Sequence, residues 1–175
     1  MDGEHKIQKA YESILGHDFE SAIEWFEKAI EAEPENAAYH YKLSITYARS
    51  NKLLKAIELA KKALFLQPDS EQYRFHLQNL HARELIFLAE KCFGQTEEQL
   101  YAAVTYLKDA IKLDPLALEA YLILGEAYAS LKDYYSAVHF VQEALKLDPM
   151  HELAKRQLNE YRHKLNQWIW KPKLE

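Results

Sequence analysis

Residues 118–149 read LEAYLILGEAYASLKDYYSAVHFVQEALKLDP. In the first half, Tyr121, Leu124, Gly125 and Tyr128 fall at the i, i+3, i+4, i+7 spacing of a helix with one apolar stripe. In the second half, Tyr134, Ala137, Val141 and Ala144 make another such stripe, and Asp148-Pro149 ends it, because proline cannot continue a helix. Two amphipathic helices this short cannot bury both stripes on each other alone. They need neighbours built the same way, and the rest of the chain supplies them.

Four of the five prolines, Pro34, Pro68, Pro115 and Pro149, are separated by 34, 47 and 34 residues. A 34-residue period with the pattern W-x2-L-G-x2-Y, A-x3-F, P is that of the tetratricopeptide repeat. Residues 118–149 match at Leu124, Gly125, Tyr128, Ala137 and Pro149, with Tyr121 for Trp and Val141 for Phe. Residues 37–68 match at Leu43, Tyr47, Ala56, Ala63 and Pro68, departing at His40 and Ala60. Residues 3–34 match only in the second helix, at Ala22, Phe26, Ala29 and Pro34. There Lys6 and Lys9 stand where Trp and Leu belong, as suits a first repeat with no predecessor to pack against.

The chain thus resembles the tetratricopeptide repeat family over about residues 3–149. The resemblance implies an all-α, right-handed superhelical solenoid of antiparallel helix pairs. The expected organisation is one domain over residues 1–175, with repeats at about 3–34, 37–68, 71–115 and 118–149, then a capping helix and tail over 150–175.

The 47-residue interval departs from the period. Thirteen extra residues fall within 71–96, and no Gly or Pro occurs between Pro68 and Gly94. One lengthened helix over about 70–93 is therefore expected, roughly 20 Å longer than its counterparts at 1.5 Å per residue. Leu85, Ile86, Phe87, Leu88 and Phe93 are too apolar to be wetted all round, so its extra turns should be buried against a later helix or a second subunit. Thr96 with Gln99 reads as a capping box for the next helix. After Pro149, a single helix over about 151–167 should close the stack through Leu153, Leu158, Tyr161 and Leu165. At least one of Trp168 and Trp170 should pack on that helix or on a neighbouring chain.

Composition narrows the function. A net charge of -5 argues against binding a phosphate backbone, which needs clustered Lys and Arg. The charge is polarised: residues 1–36 carry ten acidic against three basic side chains, and residues 150–175 three against six. One cysteine, Cys92, excludes an internal disulfide, and a small buried hydrophobe is its expected role. The opening MDGEHKIQKAY lacks an apolar signal-peptide core, and no apolar run approaches the ~20 residues that span a bilayer. A cytoplasmic protein without membrane or nucleic-acid partners is expected.

No catalytic pattern emerges. The eight histidines are scattered, none in H-E-x-x-H, and four glycines leave no phosphate-cradling loop. Neither enzyme activity nor a metal or cofactor is expected.

Recognition remains. The family resemblance implies that the first helix of each repeat lines a concave groove for a peptide or helix segment of a partner. Carried onto this sequence, the groove residues are Ile7 and Tyr11; Tyr41, Lys42, Ile45 and Arg49; Phe75, His76, Asn79 and Arg83; and Leu122 and Glu126. Apolar groups bordered by hydrogen-bonding ones suit such a ligand. The alternative for Tyr11, Tyr41 and Phe75 is packing between neighbouring first helices, and for the polar stripe a solvated helix face. Relatives that grip a terminal carboxylate use cationic and amide side chains where this chain has Ile7, Tyr11, Lys42, Gln72 and His76. Only Lys42 could hold an anion, so that clamp is not expected. The rival to a peptide-binding scaffold is self-assembly through the long helix or the Trp-containing tail.

Overall fold

Three of the turns between helices rest on a residue with left-handed backbone. His17, Asn51 and Lys132 have φ of 60°, 58° and 61°, and they are the non-glycine residues with positive φ among those described. Asn51 lies one 34-residue period after His17, and Lys132 stands at the matching place in the repeat that ends at Pro149. Around Lys132, Asp133 N donates to Tyr128 O at 2.9 Å, the long bond of a Schellman cap. Asp18 N to Ser13 O and Lys52 N to Tyr47 O repeat it, each at 2.9 Å. The next helix begins at once. Asp18 and Asp133 each accept from a backbone N–H three residues on, at 3.0 Å, and from the Ser21 or Ser136 hydroxyl at 2.6 Å.

A computed structural model of the protein describes residues 3–94 and 96–170. All the regular structure in these residues is helical: α1 (Gly3–Leu15), α2 (Phe19–Ala32), α3 (Ala37–Arg49), α4 (Leu53–Leu66), α5 (Glu71–Cys92), α6 (Glu97–Leu113), α7 (Leu118–Ser130), α8 (Tyr134–Leu147) and α9 (Glu152–Trp170). No helix is long and apolar enough to cross a membrane among the described residues.

The helices cluster into two compact units, residues 1–81 and 82–175, with α5 running through the boundary. In the first, α1 pairs with α2, α3 pairs with α4, and α2 packs on α3. Fully buried Ala10, Ala22, Ala29 and Ala56 let the helices approach closely around Phe26 and Leu43. In the second, α6 packs on α7, α7 pairs with α8, and α8 packs on α9. Its cores gather Leu107 and Leu124 on one side and Val141, Leu158 and Tyr161 on the other.

The lengthened helix is present as α5, 22 residues long, and Thr96 caps α6 by accepting from Gln99 N at 3.2 Å. Its extra turns are covered on one side only. Ala82, Ile86 and Ala89 are buried, with Leu85, Cys92 and Phe93 packed against the same cluster. Phe87 and Leu88 are exposed instead, and the Lys91 ammonium lies 4.2 Å from the Phe87 ring centroid. A helix packed along one stripe leaves the neighbouring positions outside it.

The last helix also differs from expectation. It continues to Trp170, so the tail tryptophans lie on the helix rather than beyond it. Its covered stripe is Ala154, Leu158 and Tyr161, at the i, i+4, i+7 spacing. Leu153 is thereby turned outward and exposed. Trp168 is 66% exposed, and the Trp170 side chain lies outside the described residues.

Candidate functional site

In the first unit, α1, α3 and the opening turns of α5 are tied together by aromatic and polar side chains. Tyr11 sets its ring edge-on to Phe26 at 5.9 Å, and the Lys42 ammonium lies 5.3 Å from the Tyr11 centroid. Tyr41 packs against Tyr73 at 4.8 Å and edge-on to His76 at 5.1 Å, and its hydroxyl accepts from Gln72 Nε2 at 3.2 Å. Burial, then the neighbouring Tyr41, pushes the Tyr73 phenol above its ordinary pKa.

Beneath them, the buried Ser44 hydroxyl donates to Ala56 O at 2.6 Å, while Ser44 Oγ lies 2.8 Å from His76 Nε2. A hydroxyl has one proton to give, so His76 Nε2 is the donor in the second bond. That choice fixes the His76 tautomer and ties its ring to the floor of this face. Phe75 is 65% exposed. Asn79 and Arg49 are also exposed, and Ile45 is half-buried. Ile7 is only 7% exposed and belongs to the core with Ala10 and Phe26.

In the second unit, Leu122 and Glu126 come together at a cavity of about 410 Å³ between α7, α9 and the end of α5. Leu118, Leu122, Ile123 and Leu153 make its apolar wall; Glu90, Glu119, Glu126, His151 and Gln157 are its polar groups. Leu122 is as buried as Ile7, so only its edge faces the cavity. His151 Nδ1 accepts from Ala154 N at 3.3 Å, capping α9. A second cavity of about 480 Å³ shares Glu126, Leu153 and Gln157 and adds Tyr161 and the ion pair of Lys164 with Glu160, 2.6 Å apart. Burial first, then the charges of Glu126 and Glu160, push the Tyr161 phenol up to about 12. Arg83 is exposed on α5 and lines neither cavity.

Leu153 and Gln157 line both cavities and are absent from the groove positions expected from the sequence, where the last helix is read only as a cap. The signal was present: 153 and 157 are one helical turn apart, on the stripe beside the one that Ala154, Leu158 and Tyr161 bury. No group of His, Cys, Asp or Glu suited to a metal ion occurs among the described residues.

The tetratricopeptide repeat family matches residues 16–71 and 98–151, more than half of the chain. The chain belongs to the tetratricopeptide repeat family. Solved structures share the family fold. A MamA protein is 21% identical, with 94% of this chain and 82% of that one aligned at a TM-score of 0.54. A tetratricopeptide repeat protein from Parabacteroides merdae is 19% identical, over 95% of this chain and 61% of that one, at 0.53. A MamA from Desulfovibrio magneticus is 16% identical, over 95% and 93%, at 0.53. No curated protein matches the chain. The tetratricopeptide fold supports protein–protein interaction, and the all-α architecture with one lengthened helix agrees with it.

Proposed function

We propose that this protein is a non-enzymatic, cytoplasmic interaction scaffold that binds a peptide or helix segment of another protein. The observation that carries the reading is the face of the first unit, where Tyr11, Tyr41, Ile45 and Phe75 keep apolar surface open beside Lys42, Gln72 and Asn79. Aromatic side chains held in place by their neighbours lose little conformational freedom on binding, and aromatics dominate interface hot spots. The Ser44–His76 bond and the Tyr41–Tyr73 contact hold this face in advance of any ligand. Ile7, buried, supports it from below and makes at most edge contact.

The test is selection from a random-peptide display library with the full chain as bait, followed by fluorescence polarisation with the enriched peptides. Peptides whose affinity drops tenfold or more on Tyr41→Ala or Phe75→Ala support the reading. A library that yields no enriched sequence, or peptides indifferent to both substitutions, overturns it.

Exposed Trp168 and Ile169, adjacent near the end of α9, favour a second reading, self-assembly through that end. Light scattering across a dilution series distinguishes the two, because only self-assembly makes the mass depend on concentration.

A further inference from the structure

We infer that the partner segment held on the aromatic face of the first unit is acidic, with two carboxylates that meet Lys42 and Arg49 of α3. The inference deepens the peptide-binding reading and rests on it, naming the chemistry of the ligand and two residues that select it.

The charges of this unit are sorted between its helices. Residues 36–57 and 72–83 contain no Asp or Glu, and they supply all of α3 and most of the first turns of α5. The acids collect on α2 instead, as Glu20, Glu24, Glu27 and Glu31. Their i, i+4, i+7, i+11 spacing keeps them on one side of that helix, away from the stripe that buries Ala22, Phe26 and Ala29. Of the two acids on α1, Glu12 is already paired with Lys9 at 2.9 Å.

The cations left on α3 lack counter-ions. Lys9, Lys52 and Lys62 each reach a glutamate, at 2.9, 2.6 and 3.8 Å. Lys42 has no carboxylate partner among the described residues, although it is half-buried with its ammonium 5.3 Å from the Tyr11 centroid. A ring face offsets only part of a lysine's lost hydration, so an added carboxylate is favoured there. Arg49 is exposed and also without an ion pair among the described residues. Tyr41 adds a further donor: its oxygen accepts from Gln72 Nε2 at 3.2 Å, which leaves its own proton to give.

The spacing of the two cations sets that of the ligand's acids. Lys42 and Arg49 stand two turns apart on one stripe with Ile45 between them, a rise of roughly 10 Å. Seven residues of a helical ligand, or three of an extended polyproline-like one, cover about the same rise and return to the same side. Phe75, 65% exposed, offers apolar contact on the same face. Lys42 is the stronger selector of the two, because ion pairs at exposed side chains such as Arg49 contribute little.

The experiment runs the random-peptide selection in parallel on the full wild-type chain, on Lys42→Gln/Arg49→Gln, and on Lys61→Gln/Arg156→Gln, which removes the same charge from α4 and α9. Circular dichroism checks that the variants keep their helices, and Lys42→Gln alone carries the comparison if the first double variant does not. Peptides enriched on the wild type should carry Asp or Glu beside apolar residues. Exchanging those acids for amides should weaken binding about fivefold or more, and so should Lys42→Gln/Arg49→Gln. Raising salt from about 0.05 to about 0.5 M should weaken wild-type binding more than that of this variant. Enriched peptides without acids, or acidic peptides that Lys42→Gln/Arg49→Gln binds as well as the wild type does, overturn the inference and leave peptide binding standing. Equal weakening by both double variants also overturns it, by making the attraction a matter of net charge. No enrichment at all overturns both readings. A wild-type oligomer that dissociates in Lys42→Gln/Arg49→Gln overturns the inference by giving the face to a second copy of this chain.

Discussion

Gly125 on α7 lies so close to Val141 on α8 that a β-carbon added to the glycine would stand 2.5 Å from Val141 Cγ2. The carbonyl of Ala137 would be 3.4 Å away, so the backbone of the facing helix limits escape. Alanine is the better helix former by about 1 kcal/mol, and on propensity alone Gly125→Ala would stabilise α7. Packing should win. Gly125→Ala is expected to lower stability by about 1–3 kcal/mol in urea denaturation. Adding Val141→Ala should recover part of the Gly125→Ala loss, a coupling that independent sites would not show.

The left-handed turn residues give the opposite sign. An L-residue in that conformation costs roughly 1–2 kcal/mol that glycine avoids, while glycine gives the unfolded chain more freedom, worth about 0.4–1 kcal/mol. Lys132→Gly and His17→Gly should therefore be neutral or stabilising by up to about 1 kcal/mol. Scanning calorimetry checks this, and a clear drop in Tm for both variants would contradict the Schellman geometry.

Recognition and stability should separate between Tyr41 and Leu124. Tyr41→Ala and Phe75→Ala are expected to weaken peptide binding by about 1–3 kcal/mol. Leu124→Ala removes a fully buried side chain and should cost about 2–5 kcal/mol of stability. Measuring both properties on all three variants decides the matter. Equal loss of stability, with binding by the folded fraction intact, would make Tyr41 and Phe75 core residues.

On α5, adjacent residues should behave oppositely. Ile86 is 5% exposed and Phe87 49%. Ile86→Glu buries a carboxylate without a partner and should cost several kcal/mol, whereas Phe87→Glu should stay within about 0.5 kcal/mol. Equal losses would mean that Phe87 is also covered in solution, by another chain.

Stability should fall in alkali partly through Tyr161. Its phenol ionises near 10 in an unfolded chain but near 12 in the fold, chiefly because it is buried. Between those values the unfolded state holds fewer protons, so stability declines as pH rises through that window and is unaffected below it. Tyr161→Phe should flatten that part of the curve, as followed by circular dichroism during a pH titration.

Much of this fold was legible in local sequence. The 34-residue spacing of prolines, the alanines at close approaches and the uninterrupted run between Pro68 and Gly94 each reflect a backbone constraint, and the helices α2 to α8 lie where these signals place them. The aromatic face was legible in part, since Tyr11, Tyr41 and Phe75 follow from repeat register. Leu153 and Gln157 were not, because they belong to a helix outside the repeated pattern.

The sequence by itself determined that the chain folds as stacked helical hairpins, where they turn, and that one helix is lengthened. Those properties depend on periodicity, turn chemistry and spacing, all of which act within a few residues. The tertiary structure decided which of two neighbouring stripes each helix buries. Ile7 and Leu122 went into the core, Phe87 and Leu88 stayed outside it, and Ala154 rather than Leu153 met α8. A helix offers adjacent stripes about 100° apart, and only the direction from which a distant segment approaches selects between them.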